Sequence, residues 1–162
     1  MEGFCAGLND VTTNRSMILN DWTCEESHYW NTGKFSTISG EYIVPSDGLY
    51  HVNFKLNYST EREFISIRVD ADVYISINLN NISISKNQLP IWRYNLPYPN
   101  MRRLLEKSSL SSSEIFYFNA GDIISLSYNE NQLHMNLNIH DTIFSIIKIS
   151  SQNMITKSSR NV

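Results

Sequence analysis

The chain has 162 residues, a formal net charge of −3 and only 18% charged side chains. This length suits one ordinary domain that can bury a core without metals or disulfides. The small acidic charge argues against a nucleic acid or another polyphosphate as a partner. Ile, Tyr, Phe and Thr are frequent while the helix formers Ala and Glu are scarce, which favours β structure.

Short apolar stretches separated by turn residues make up the first third of the chain. They predict strands at residues 4–8, 17–22, 33–38 and 40–45. Pro45 can stand only at the end or edge of a strand, and Ser46-Asp47-Gly48 then turns the chain. Residues 49–58 alternate between apolar and polar side chains, which predicts a strand with one buried face. We expect the turn to lead from an edge strand into this central strand.

The rest of the chain continues as strands, with one interruption. Further strands are predicted at residues 64–69, 73–79, 82–84, 114–118, 122–128, 133–139 and 142–150, with Asn80-Asn81 as a turn. Residues 86–113 contain three prolines and a Ser-rich end, so we expect a long excursion with one helical turn at 101–107. This pattern predicts an all-β sandwich or barrel of about ten antiparallel strands, a domain at 1–151 and a polar, flexible tail at 152–162.

Three sequence segments resemble the C1q-like domains of the TNF/C1q superfamily. They are YIVPSDGLYHVNF at 42–54, IFYFNAGDIISL at 115–126 and TIFSIIKI at 142–149. FCAGLNDV and YWNTGKF upstream are similar to the first strand and to the approach to the turn. Asn53-Phe54 and Phe144-Ser145 look like the C1q pattern rather than the TNF pattern, whereas Ile146 stands where both branches normally have Gly. The resemblance spans about residues 4–150 and implies a jelly-roll sandwich.

The resemblance also implies a function. C1q-like domains are non-catalytic recognition modules, so we expect a secreted or surface-exposed homotrimer that binds protein or carbohydrate ligands through loops and inter-subunit clefts. A TNF-like receptor-binding ligand and a structural trimeric head of a surface fibre are the alternatives. The first residues, MEGFCAGLNDV, show no signal-peptide pattern, and no apolar run is long enough to insert into a bilayer.

Five aromatic residues are predicted to form the structural core between two sheets about 10 Å apart. These are Tyr50, Phe54, Phe116, Phe118 and Phe144. A buried tyrosine hydroxyl needs a hydrogen-bond partner, and the carboxylate after Gly121 can accept local backbone N–H groups. These residues are therefore expected to make the fold rather than to bind a ligand.

The sequence carries no recognisable catalytic motif. It has no nucleophile elbow, P-loop, dinucleotide glycine motif or zinc-ligand spacing, so we expect neither an enzyme nor an organic cofactor. Asp70 and Asp72 bracket a turn, and since some C1q-like domains bind calcium through loop carboxylates, these two are the calcium candidates. Cys5 and Cys24 are either two free thiols or one disulfide bridge.

The candidate ligand-binding loop lies in the proline-rich excursion. It contains the residue types that dominate protein–protein contacts, namely Trp92, Arg93, Tyr94, Tyr98, Arg102 and Arg103. The alternative is a loop that folds over the sandwich and covers the core with its aromatic rings. Aromatic and basic residues also stack on nucleic-acid bases, but the chain is acidic and has no basic stripe, so a nucleic-acid partner is not expected.

Overall fold

The computed structural model describes residues 2–8, 10–13, 15–24, 29–62, 73–89, 104–130 and 136–150. In these ranges the chain forms twelve strands and no helix. The strands are β1 (Gly3–Leu8), β2 (Val11–Thr13), β3 (Met17–Ile18), β4 (Trp30–Asn31), β5 (Phe35–Ser36), β6 (Glu41–Ile43), β7 (Gly48–Arg62), β8 (Val73–Leu79), β9 (Ile82–Gln88), β10 (Leu104–Phe118), β11 (Ile123–Glu130) and β12 (Asn136–Ser150).

The strands form two sheets of six strands each, and all neighbouring strands within each sheet pair in the antiparallel direction. The front sheet has the order β10-β7-β12-β1-β4, with β2 beside β12. The back sheet has the order β5-β6-β11-β8-β9, with β3 beside β11. One cluster of buried apolar side chains, contributed by both sheets, lies between them. This arrangement confirms the all-β jelly-roll sandwich expected from the sequence.

The alternating run in β7 explains why this strand lies inside the front sheet. Tyr50, Val52, Phe54, Leu56 and Tyr58 are each at most 2% exposed, and the residues between them face outward. Period-two alternation places every second side chain on the same face of a strand. The strand therefore buries one complete row of large side chains in the core while its backbone pairs with β10 and β12.

The turn around Pro45 connects the two sheets. It leads from β6 in the back sheet into β7 in the front sheet, where β7 has a neighbour on either side. The expected entry into a central strand is thus confirmed, but β6 is not an edge strand, because β5 pairs with it. Asp47 Oδ1 accepts a hydrogen bond from the backbone N–H of Ala120 at 2.7 Å, which fastens this turn to the β10–β11 turn.

The proline-rich excursion is shorter than predicted. β9 continues to Gln88, and β10 already begins at Leu104, so residues 104–113 form a strand and the helical turn predicted at 101–107 is wrong for 104–107. β10 pairs with β7 residue for residue, from Leu104 opposite Arg62 to Phe118 opposite Gly48. Ladder hydrogen bonds use only the backbone, so the long neighbour β7 can extend the Ser-rich sequence into a strand.

The last two predicted strands are one continuous strand. β12 runs through residues 140–142, and its register against β7 shifts between His140 and Ile143. Asp141 there has a φ of 45°, so an irregularity in the ladder takes the place of the expected break. The sequence also missed the three-residue β2 and the two-residue β4.

The Asn80-Asn81 turn is confirmed as the link between β8 and β9. Both residues have positive φ, 50° and 67°, as the central pair of a type I′ hairpin requires. Asn80 also holds the neighbouring strand: its Nδ2 donates to Asp122 Oδ1 at 3.0 Å, and its Oδ1 accepts from the backbone N–H of Ile123 at 2.8 Å. The strand predicted at 64–69 and the tail at 152–162 lie outside the described residues.

Candidate interaction face

The five predicted core aromatics lie at the interface between the sheets. Tyr50, Phe54, Phe118 and Phe144 are at most 2% exposed, while Phe116 is partly buried and stacks on Phe118 at 5.6 Å between ring centroids. They fill the sandwich rather than line a cleft.

The hydroxyl of Tyr50 has the partner that its burial requires. It donates to the backbone carbonyl of Ser46 at 2.7 Å. Burial raises the pKa of the Tyr50 phenol, and the hydrogen bonds to Ser46 partly oppose that rise.

Asp122 Oδ2 accepts from the backbone N–H of Asn119 at 2.8 Å, so the carboxylate after Gly121 makes the local contact predicted for it.

Three polar side chains, those of Glu2, Ser46 and Lys148, form a cluster beside Tyr50. Lys148 Nζ lies 3.5 Å from Glu2 Oε2 and 6.0 Å from the Tyr50 ring centroid. Ser46 Oγ donates to Glu2 Oε2 at 2.9 Å, and Lys148 donates to Ser46 Oγ. The charge of the half-buried Lys148 is thereby paired, so this cluster links β12, the turn before β7 and the residue before β1.

We call the outward surface of the front sheet, formed by β10, β7 and β12, the front face. It carries a set of exposed apolar side chains. Cross-strand register places Ile115, His51 and Ile147 in one row, and Ser111, Lys55 and Ile143 in another. The exposed large apolar members are Ile115 (58%), Ile149 (49%), Tyr117 (41%) and Ile143 (36%). These side chains come from only two strands, β10 and β12, and flank a more polar β7.

The polar centre of the front face is hydrogen-bonded within itself. Asn53 Nδ2 lies 3.3 Å from His51 Nδ1, and His51 Nε2 lies 2.7 Å from Ser113 Oγ. When Nδ1 of a neutral imidazole accepts from the amide, the Nε2–H is free to donate to the serine. A shallow groove of about 420 Å³ beside them is lined by Asn53, Phe54, Lys55, Ser111, Ser112, Ser113 and Ile143.

The outward surface of the back sheet has a different character at its centre. Asn78 Nδ2 donates to Ser127 Oγ at 2.9 Å, and Asn129 Nδ2 donates to Ser76 Oγ at 3.0 Å. These short polar side chains satisfy one another across β8 and β11. The exposed apolar side chains of the back-sheet strands are the cross-strand pair Ile43 and Ile123, together with Ile82 at the start of β9. Of the polar residues, Ser76, Asn78 and Ser127 are buried, so this network stabilises the back sheet itself.

Several predicted site residues lie outside the described part of the chain. The loop residues Trp92, Arg93, Tyr94, Tyr98, Arg102 and Arg103, and the calcium candidates Asp70 and Asp72, all belong to this group. Within the described residues, no group of three or more His, Cys, Asp or Glu side chains could hold a metal ion. Also within them, no helix is long and apolar enough to cross a bilayer.

The comparisons with known proteins decide the family. The family model described as TNF (Tumour Necrosis Factor) matches residues 20–149. This chain belongs to the TNF family. Among solved structures, Eiger TNF from S. frugiperda superposes with a TM-score of 0.56 at 11% identity and 93% coverage of both chains. Rabbit GITRL gives a TM-score of 0.48 at 15% identity, over 93% of this chain and 98% of its own. No curated protein sequence matches.

The recognition of the TNF/C1q superfamily is confirmed, and the comparisons favour the TNF branch over the C1q-like branch that the sequence ranked first. That ranking rested on Asn53-Phe54 and Phe144-Ser145. In the structure Phe54 and Phe144 point into the core, whereas Asn53 and Ser145 pair with each other on the front face. These positions report the inward–outward alternation of two neighbouring strands, which a sandwich of either branch requires, so they cannot separate the branches.

Sequence reasoning expected a homotrimer but named no residue of a sheet face through which it could assemble. The signal was present in the outward positions of predicted strands, where Ile115, Ile143 and Ile147 take places that are usually polar on a solvated face. What the sequence lacked was the strand order, which brings β10 and β12 to either side of β7.

Proposed function

We propose that this chain is a non-catalytic, extracellular TNF-like ligand that forms a homotrimer through its front face and binds a protein receptor. Membership of the TNF family supports the ligand role, because such proteins are trimeric and receptor-binding. The main observation that supports the proposed trimer is the set of exposed Ile and Tyr side chains on the front face. Monomeric soluble proteins seldom expose contiguous apolar patches unless a partner covers them.

The energetics favour a closed ring over a simple pair. Covering a half-exposed isoleucine contributes about 1 kcal/mol, whereas each association costs about 4–15 kcal/mol of translational and rotational freedom. A cyclic trimer forms three interfaces for two association steps, and every copy both offers and receives a surface. On the two rows described above, the ionisable side chains are His51 and Lys55, so like-charge repulsion along these rows is small.

The edge of the front sheet supports the same proposal. β10 is a 15-residue strand that pairs with β7 on one side and has no partner strand on the other among the described residues. A long unpaired edge is a liability that proteins usually cover or interrupt. A neighbouring subunit packed against Ile115 and Tyr117 would cover both the apolar side chains and this edge.

Sedimentation of matched variants tests the assembly. At micromolar concentration we expect wild-type protein to sediment as a trimer and Ile115→Lys as a monomer, since each copy would bury an unpaired ammonium group. Ile82→Lys is the control, because Ile82 is 70% exposed and belongs to the back sheet. A monomeric wild type, or equal dissociation of both variants, would contradict assembly through the front face.

The receptor contact is proposed for the loop that contains Trp92, Arg93, Tyr94, Tyr98, Arg102 and Arg103. Trp, Tyr and Arg are enriched among the residues that carry most of an interface's binding energy. We expect Trp92→Ala with Arg93→Ala to weaken binding to a receptor ectodomain by at least about tenfold, with the trimer retained.

Parallel binding assays distinguish the proposed receptor ligand from the alternative functions. They use a panel of receptor ectodomains and a glycan array. Binding to an ectodomain supports the proposed ligand, whereas binding only to glycans would replace it with a carbohydrate-recognition role. A trimer that binds neither would favour the structural head of a fibre. The calcium role of Asp70 and Asp72 and the tail at 152–162 stay predictions.

A further inference from the structure

The sequence contains three Asn-x-Ser sequons, the acceptor pattern for N-linked glycans. Their asparagines are Asn14, Asn57 and Asn81, of which Asn14 lies outside the described residues. The pattern alone arises easily by chance in a chain rich in Asn and Ser. The structure separates Asn57 from Asn81, because a glycan needs an asparagine whose side chain projects into open solvent once the chain has folded.

Asn81 stands at the tip of the β8–β9 hairpin with a free side chain. Asn81 and the following Ile82 are both exposed. The neighbouring Asn80 uses both ends of its amide to hold Asp122 and Ile123, whereas the Asn81 amide makes no hydrogen bond within the described part of the chain. A glycan on Asn81 would therefore replace no contact of the fold.

The third residue of this sequon, Ser83, carries a hydroxyl that the hairpin does not use. Its Oγ is buried and has no hydrogen-bond partner among the described residues. A buried hydroxyl without a partner lowers the stability of a fold, but the sequon requires a hydroxyl at this position. Because the finished hairpin encloses the Ser83 hydroxyl, glycan transfer would come before the hairpin closes.

Asn57 has the opposite surroundings. It is half-buried in the middle of β7, and its Nδ2 donates to the backbone carbonyl of Asp141 at 2.8 Å. The next two residues of its sequon, Tyr58 and Ser59, are buried. The Asn57 side chain also lies on the front face, where a bulky glycan would keep subunits apart. The fold and the proposed trimer therefore both disfavour a glycan at Asn57.

We propose that Asn81 is an N-glycan acceptor whose co-substrate is a lipid-linked oligosaccharide, and that Asn57 stays unmodified in the secreted protein. In the transfer, Asn81 Nδ2 forms a bond to the anomeric carbon of the first sugar, and the bond from that carbon to the lipid diphosphate breaks. The diphosphate leaves with the electron pair, and Nδ2 loses one proton, which balances the charge. The inference rests on the extracellular location in the proposed function, since an exported chain meets this donor.

Site mapping of the full chain, secreted from eukaryotic cells behind an appended signal peptide, tests the proposal. Enzymatic glycan release in water labelled with heavy oxygen converts each glycosylated asparagine into a labelled aspartate. Trypsin places Asn57 and Asn81 on different peptides, because it cuts after Arg62 and Arg68. We expect the label on Asn81 and none on Asn57. An unlabelled Asn81, or a label on Asn57, would overturn the proposal.

Matched serine substitutions are the controls. Ser83→Ala should abolish the label on Asn81, whereas Ser83→Thr keeps the sequon and should retain it. Ser59→Ala removes only the sequon of Asn57 and should leave the glycan mass unchanged. Since the Ser83 hydroxyl has no partner in the hairpin, Ser83→Ala should fold as the wild type does. A glycan mass lost in Ser59→Ala but kept in Ser83→Ala would refute the assignment.

Sedimentation separates this inference from the proposed trimer. Asn81 belongs to the hairpin of the back sheet, whereas the front face lies on the other sheet. The glycosylated wild type and unglycosylated Ser83→Ala should therefore form the same assembly and differ only by the mass of the glycan. An unglycosylated trimer would contradict the glycan alone, and a glycosylated monomer would contradict the trimer alone. The appended signal peptide makes the glycan test independent of the natural route of export.

Discussion

Tyr42 and Tyr50 are two fully buried phenols that differ in one hydrogen bond. Their ring centroids lie 6.4 Å apart, and both side chains are 0% exposed. The Tyr50 hydroxyl donates to the carbonyl of Ser46, whereas the Tyr42 hydroxyl has no hydrogen-bond partner among the described residues. A buried polar group without a partner costs free energy that a paired group does not.

The two tyrosines therefore predict opposite results for the same substitution. Tyr50→Phe should lower the free energy of unfolding by about 1–2 kcal/mol, because it leaves the Ser46 carbonyl without its donor. Tyr42→Phe should be neutral or stabilising by up to about 1 kcal/mol, because it removes an unpaired hydroxyl. Urea unfolding at one fixed protein concentration measures both. Equal losses in the two variants would contradict this account of the core.

At the scale of the elements, the β8–β9 hairpin shows how one turn performs two tasks. Asn80 and Asn81 both have positive φ, but only Asn80 uses its side chain to hold the start of β11. Asn81 is exposed, so we assign its contribution to the turn to the positive φ of its backbone.

Glycine substitutions separate these two tasks. Asn81→Gly should raise the free energy of unfolding by about 0.5–1 kcal/mol, since glycine adopts positive φ without steric cost and Asn-Gly is the preferred type I′ pair. Asn80→Gly should lower it by about 1–2 kcal/mol, because Asp122 and the Ile123 N–H lose their partner. Thermal and urea unfolding of both variants check the signs, and a stabilising Asn80→Gly would refute the role given to the amide.

The strand that sequence reasoning missed has a physical explanation at this scale. The serines of β10 carry little intrinsic strand preference, and the nearby prolines favoured a loop. Pairing with the full length of β7 overrides this preference, because each residue of the ladder satisfies backbone groups that would otherwise be exposed or unpaired. The two-residue β4 was beyond prediction for a related reason, since its pairing with β1 depends on a contact distant in sequence.

For the whole molecule, the proposed trimer links stability to concentration. If folding is coupled to assembly through the front face, the melting temperature of the wild type should rise by several degrees over a hundredfold increase in protein concentration. Ile115→Lys should show no such rise, and the control Ile82→Lys should behave like the wild type. Differential scanning calorimetry across that range measures the effect. A wild-type melting temperature independent of concentration would contradict the coupling.

The amino-acid sequence by itself determined that this protein is all-β and which side chains of its regularly alternating strands face inward. That information is local: alternation along each strand assigns the inward positions, as for Tyr50 and Phe144, and turn residues such as Asn80-Asn81 mark where strands end.

Only the tertiary structure decided how those strands lie beside one another. The order of the front sheet turns scattered outward isoleucines on β10 and β12 into one face, and the pairing of β7 with both of these strands half-buries Asn57 while the turn residue Asn81 stays exposed. Both results depend on pairings between residues far apart in the chain. Such pairings are selected by the packing of the whole core, and no local pattern encodes them.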